Sequence, residues 1–227
     1  VSTGEVQRML ALLIPLVLLD IGLIFLSRWS GLGKLERRLG HIVLWNLLIE
    51  IGARLLSYSG HSNLLLLHLY TLGEFLLFTR FYRALLPKRI LGTRSYRGIL
   101  AVGSLLIVAN TIFLEGPFGF NSNAKTLVHL VILVYTMLYF AYFNFESSDQ
   151  YRRLQPLLAI NSAVLIYYAA SLFIWMFTAY ALTQGTPLPR EFWLFNVSLN
   201  LLYQLVIFFA LWKLLVHPST YSSPSAS

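Results

Sequence analysis

Three ionisable side chains stand inside apolar stretches: Glu50, Arg54 and Glu74, all within residues 46–83, NLLIEIGARLLSYSGHSNLLLLHLYTLGEFLLFTRFYR. Glu50 and Arg54 are four residues apart with the acid first, the order that best pairs opposite charges along one helix face. Glu74 has Tyr70 and Phe78 one turn away on either side, so no base on its own helix can neutralise it. Facing lipid, each charge would cost about 2.5–3.5 kcal/mol on insertion scales; the three are therefore expected to point into a bundle and find partners there. Buried carboxyls of this kind can couple a proton to a solute, and a buried arginine can pair an anionic group. A second polar pattern supports the first: Asn196, Asn200 and Gln204 recur at i, i+4 and i+8 in an otherwise apolar run and form one amide stripe. His68 and Thr71 precede Glu74 on its helix, Asn46 precedes Glu50, and Asp20 lies in the first apolar run. Asn161 and Tyr168, seven residues apart, share a face of the sixth run and are candidates to line the same pocket. Asp20, Glu50 and Glu74 against Arg54 leave two negative charges unbalanced, so at least one carboxyl is expected to carry a proton. The choice falls on Glu74, hydrogen-bonded to Glu50, Asn46 or Gln204.

The elements that must hold these groups follow from composition. Of 227 residues, 57% are hydrophobic and 11% charged, against roughly 25% charged in a soluble domain. A soluble protein is excluded. The net charge of +8 does not indicate nucleic acid, because the bases gather in short loops between apolar runs and mark topology. Cysteine is absent, which removes disulfides, thiolate metal sites and cysteine nucleophiles. His41, His61, His68, His129 and His217 are scattered, with no HExxH spacing, and no metal site is read from them. Neither GxxxxGK[ST], GxGxxG nor GxSxG occurs, so no cofactor is implied. Intramembrane hydrolysis by the carboxylates with His68 stays as an alternative chemistry.

Seven apolar runs are long enough to cross a bilayer: 7–27, 40–58, 63–85, 98–115, 124–145, 155–181 and 192–215. They predict an all-α seven-helix transmembrane bundle occupying residues 1–216, with the polar tail 217–227 disordered. The first run is long and lacks a small-residue cleavage site, so it reads as a helix and not a signal peptide. Pro15 falls inside the first helix, and Pro156 is expected in the first turn of the sixth. Thirteen of the seventeen bases flank one side; Arg8, Lys125 and Arg190 flank the other, and Arg54 is inside a span. The positive-inside rule then puts the N-terminus outside and the C-terminus in the cytoplasm, in a bacterial inner membrane.

An internal repeat is also legible. Arg37-Arg38-Leu39 followed by Asn46 matches Arg152-Arg153-Leu154 followed by Asn161, and Glu74 aligns with Gln204, which gives a three-plus-one-plus-three arrangement. The segment His68-Leu69-Tyr70-Thr71-Leu72-Gly73-Glu74-Phe75-Leu76, preceded by a Ser-Asn turn, resembles helix three of short bacterial seven-helix proteins without an assigned function. The layout is similar to that of SWEET and PQ-loop transporters, although no Pro-Gln pair stands in the first or fifth helix. The expected function is a transporter for a small polar or anionic solute at a midplane cluster of Glu50, Arg54, His68, Glu74, Asn200 and Gln204, with Asp20, Asn46, Thr71, Asn161, Tyr168 and Asn196 in support. The alternative is a ligand sensor or accessory subunit acting through a separate partner. Its surroundings are the bilayer, the solute and, in either case, a further copy or signalling partner.

A reporter fused after Ser227 tests the topology: a fluorescent protein should be bright there, and a phosphatase that matures only outside the cytoplasm should be silent.

Overall fold

The computed structural model describes residues 3–142, 148–186 and 189–216; the tail 217–227 lies outside the described residues. Every described element is helical: α1 Thr3–Arg28, α2 Lys34–Tyr58, α3 Leu64–Leu85, α4 Thr93–Ala109, α5 Ser122–Tyr142, α6 Ser148–Thr183 and α7 Arg190–Val216. A 3₁₀ turn, Trp29–Gly31, follows α1, and a π-turn, Asn110–Leu114, continues α4. Seven of these helices are long and apolar enough to cross a membrane. Each contains one of the seven runs read from hydropathy or overlaps most of it. The sixth differs at its start: α6 begins at Ser148, so Pro156 lies inside the helix and not in its first turn. The polar segment before the proline is helical too, which hydropathy alone does not register.

The reversal between α2 and α3 is made by Gly60 at φ +71°, where a side chain would be strained. His61 N–H bonds back to the Leu56 carbonyl at 2.9 Å, closing the last turn of α2.

Neighbour relations define the bundle. α1 packs on α2 and α7, α2 on α3, α3 on α5, α5 on α6, and α6 on α7. Six helices thus close a ring, while α4 lies outside it against α3. The outer surface is apolar, with Leu16, Leu23, Leu105, Phe113, Phe173 and Phe209 among many large exposed side chains. A surface of that kind suits hydrocarbon as solvent, with backbone polar groups satisfied within the helices.

The two ends of the ring are filled differently. Toward the end holding the α2 N-terminus and the α3 C-terminus, Phe25, Ile42, Phe78, Phe81, Tyr82 and Ile207 are each at most 2% exposed and plug the interior. The end holding the α2–α3 turn is hollow, as described below. Small residues allow the close approaches this requires. A Cβ on Gly73 would collide with the indole of Trp45, and one on Gly40 with the Phe25 ring. Trp45 crosses from α2 to α3 at that glycine and donates Nε1–H to the Tyr70 carbonyl at 3.4 Å.

Gly73→Ala is therefore expected to destabilise the protein by about 1–3 kcal/mol through overpacking. Thermal unfolding in detergent checks this, with Gly98→Ala as a control that meets nothing within 4 Å; equal melting temperatures for the two variants would contradict it.

Candidate functional site

The depth of α5 decides the chemistry of the interior. The segment before it descends along α3, because α3 presents polar groups on the face it shares with that segment. His68 Nδ1 lies 3.0 Å from Thr111 Oγ1, and its Nε2 lies 3.2 Å from the Gly119 carbonyl. Asn121 Nδ2 donates to Thr71 Oγ1 at 2.9 Å and reaches the Leu67 carbonyl at 3.4 Å. Glu115 then caps α5: its Oε1 accepts from Ser122 N–H at 2.8 Å, Ser122 Oγ–H at 2.7 Å and Asn123 N–H at 2.8 Å. These donors are among those a helix start leaves unsatisfied, and the carboxylate suits the positive end of the dipole. Its other oxygen accepts from Asn110 Nδ2. Helix α5 consequently begins level with Thr71, already inside the bundle.

Three residues into α5, Lys125 meets Glu74. Lys125 Nζ lies 2.6 Å from Glu74 Oε2. Glu74 Oε1 accepts from the hydroxyls of Tyr70 at 2.9 Å and Tyr168 at 2.8 Å. Both members of the pair are nearly inaccessible, Glu74 at 2% and Lys125 at 3% exposure. The ammonium also sits 3.9 Å from the centroid of the Tyr70 ring and 5.8 Å from that of Trp175, adding cation–π attraction where water is excluded. One turn on, His129 bonds through Nδ1 to the Lys125 carbonyl at 2.8 Å and through Nε2 to Ser171 Oγ at 3.3 Å. Three helices, α3, α5 and α6, are tied together at this point.

This corrects two expectations. Lys125, counted by sequence as a charge at the membrane edge, is buried. Glu74, expected to hold a proton and bond to Glu50, Asn46 or Gln204, has instead a lysine counter-charge and two tyrosine donors. The charge count that called for a protonated carboxyl left out Lys125.

In front of this wall is a cavity of about 270 Å³. The lining brings together Asn46 and Glu50 of α2, Tyr70 of α3, Lys125 of α5, Tyr167 and Trp175 of α6, and the α7 stripe Asn196, Asn200 and Gln204. Glu50 Oε1 accepts from Arg54 Nε at 2.9 Å and Nη2 at 2.7 Å, as the i,i+4 spacing requires. Arg54 itself does not line the cavity. Asn200 Nδ2 donates to the Tyr167 hydroxyl at 2.9 Å. The side-chain oxygens of Asn46, Asn196, Asn200 and Gln204 are buried and have no hydrogen-bond partner among the described residues. Buried acceptors left in that condition cost about 1–3 kcal/mol each, so water or a solute must satisfy them.

The remaining candidates lie elsewhere. His68 and Thr71 anchor the descending segment. Asn161 is in the filled half, accepting from Tyr82 O–H at 2.8 Å and donating to the Leu157 carbonyl at 2.8 Å; it holds helices together. Asp20 is exposed on the outer face of α1 beside Leu16, Leu19 and Leu23. Tyr168 reaches the site through Glu74. The Ser171–His129 contact has the reach of a nucleophile and base, yet both residues are fully buried and neither lines the cavity. No family model, curated protein or solved structure matches the chain.

Glu74→Gln and Lys125→Met are each expected to destabilise by about 3–5 kcal/mol because the charge left behind is buried, whereas the double variant should lose less than either. Denaturant unfolding in detergent measures this; additive losses would show that the two side chains do not depend on one another.

Proposed function

We propose that this protein is a small-solute transporter of a bacterial inner membrane, with the cavity as its solute site. The observation that carries the reading is the asymmetry of the ring: polar and hollow in one half, plugged by aromatic and aliphatic side chains in the other. A site near the middle that is reached from one side is what one state of an alternating-access protein presents. With the charge count placing the α2–α3 turn outside, the cavity faces outward in this state. Opening the other way would require the plug around Phe78, Tyr82 and Ile207 to part while the outer half closes. The outlying position of α4 supports the same reading, since a three-plus-one-plus-three layout reserves that place for a linking helix.

A ligand sensor acting through a partner is the second reading. It is favoured by α1, α2, α3, α6 and α7, which run without a break past the cavity, whereas transporter sites often use discontinuous helices.

The chain has no cysteine, so single introduced thiols separate the two readings. Ala53→Cys lines the cavity and Ala210→Cys is buried in the plug. For a transporter, a membrane-impermeant maleimide should label Ala53→Cys from outside and Ala210→Cys from the cytoplasmic face of inverted vesicles. Labelling of Ala53→Cys alone, from one side, would favour the sensor. No labelling at Ala53→Cys would remove the solute site from both.

A further inference from the structure

The cavity wall carries a specific arrangement of charge. Among the described residues, Glu50 and Lys125 are the charged side chains that line it. Each has its counter-charge set back from the lining: Arg54 is 2.7 Å from Glu50, and Glu74 is 2.6 Å from Lys125. The lining residues therefore include one acid and one base, while the four groups sum to zero. The two poles enter from different walls, since α3 separates α2 from α5 in the ring.

The distribution of hydrogen-bonding capacity follows the same division. Both Arg54–Glu50 bonds go to Oε1, and Glu50 Oε2 takes no hydrogen bond among the described residues. The unpartnered oxygens of Asn46, Asn196, Asn200 and Gln204 add further acceptors, and Gln204 is 2% exposed. A group with several N–H donors suits them: an ammonium has three, enough for Glu50 Oε2 and the amide oxygens nearest it, and the more distant amides of the stripe are left to water or to the rest of the solute. On the α5 side the lysine Nζ is the donor, steadied by the Tyr70 and Trp175 rings. The volume of about 270 Å³ holds roughly nine waters at about 30 Å³ each. That limits the occupant to a small molecule.

We propose that the cavity takes a small zwitterionic solute of the amino-acid class, its ammonium held by Glu50 and the amide oxygens nearest it and its carboxylate by Lys125. The proposal rests on the cavity being the solute site of the transport reading. A simple anion would meet Lys125 but bring an unbalanced charge beside Glu50; a simple cation would do the reverse. An uncharged polyol would satisfy the amides and gain no charge attraction from either pole. A zwitterion leaves the site as neutral as it found it.

Thermal unfolding of the purified protein tests this with alanine, serine and glutamine as zwitterionic probes, propionate and ethylamine as single-charge controls, and xylitol as the uncharged control. At least one zwitterion should raise the melting temperature saturably by several degrees, with no control matching it, and Gln204→Leu should abolish the shift. Glu50→Gln/Arg54→Gln and Glu74→Gln/Lys125→Gln each remove one pole without changing the net charge, and each should weaken the apparent affinity tenfold or more. The first double variant alters the half-buried pair and keeps the test open if the second does not fold. A Gln204-dependent shift from propionate, ethylamine or xylitol that equals the zwitterion's, or one indifferent to a folded pole variant, would overturn the amino-acid class while leaving the cavity as a solute site. If no probe gives a Gln204-dependent shift, both the class and the site are wrong.

Discussion

The ion pair between Glu74 and Lys125 is the contact on which the interior depends, because each charge is untenable there without the other. A carboxylate and an ammonium taken out of water lose solvation worth several kcal/mol apiece, and only close opposite charge with further hydrogen bonds repays it. Here the carboxylate receives one ammonium and two phenolic donors, and the ammonium adds the face of an aromatic ring. The geometry constrains three helices together: α3 supplies Glu74 and Tyr70, α5 supplies Lys125, and α6 supplies Tyr168. Shifting any one of them along its axis would expose a buried charge.

That constraint explains features that look unrelated along the chain. The descent of residues 116–121 beside α3 serves to start α5 at the right depth, and His68, Thr71, Asn121 and Glu115 are employed in holding it there. Gly73, one residue before Glu74, admits Trp45 so that α2 can lie close enough to α3 to bring Glu50 to the same cavity. On the far side of the space, α7 closes the ring with a stripe of amides that fix no charge and so leave the balance unchanged.

The consequence for function is a wall whose polarity is divided between two neutral pairs. Buried networks with every member satisfied act as rigid structure, and unsatisfied members beside a cavity leave hydrogen-bonding capacity that water or a solute can take up. Both kinds occur in this ring. Around Tyr82, Thr136 and Asn161 the hydrogen bonds are made within the protein, and the half they occupy is solid. Around Asn46, Asn196, Asn200 and Gln204 the oxygens lack partners among the described residues, and that half is hollow.

Local pattern determined much of this. The bilayer-length apolar runs gave seven helices because every backbone polar group in hydrocarbon must bond within its own segment. The Glu50–Arg54 pair followed from helical spacing, and so did the common face of Asn196, Asn200 and Gln204. What spacing along one helix cannot supply is the depth of one helix relative to another. Lys125 stands one residue inside the fifth run as hydropathy bounds it, and a base in that place reads as a boundary charge; it becomes the partner of Glu74 because a loop sinks into the bundle. Tyr70, Tyr167 and Trp175 carried no sequence signal that set them apart from other aromatics in apolar helices. Conversely, His68, Thr71 and Asn161 had the right residue types but spend their hydrogen bonds on holding segments together, and Asp20 lies on an outer face. Ring closure by tertiary packing decided which polar groups meet and which remain unpaired, since that depends on the mutual depth and rotation of helices distant in sequence.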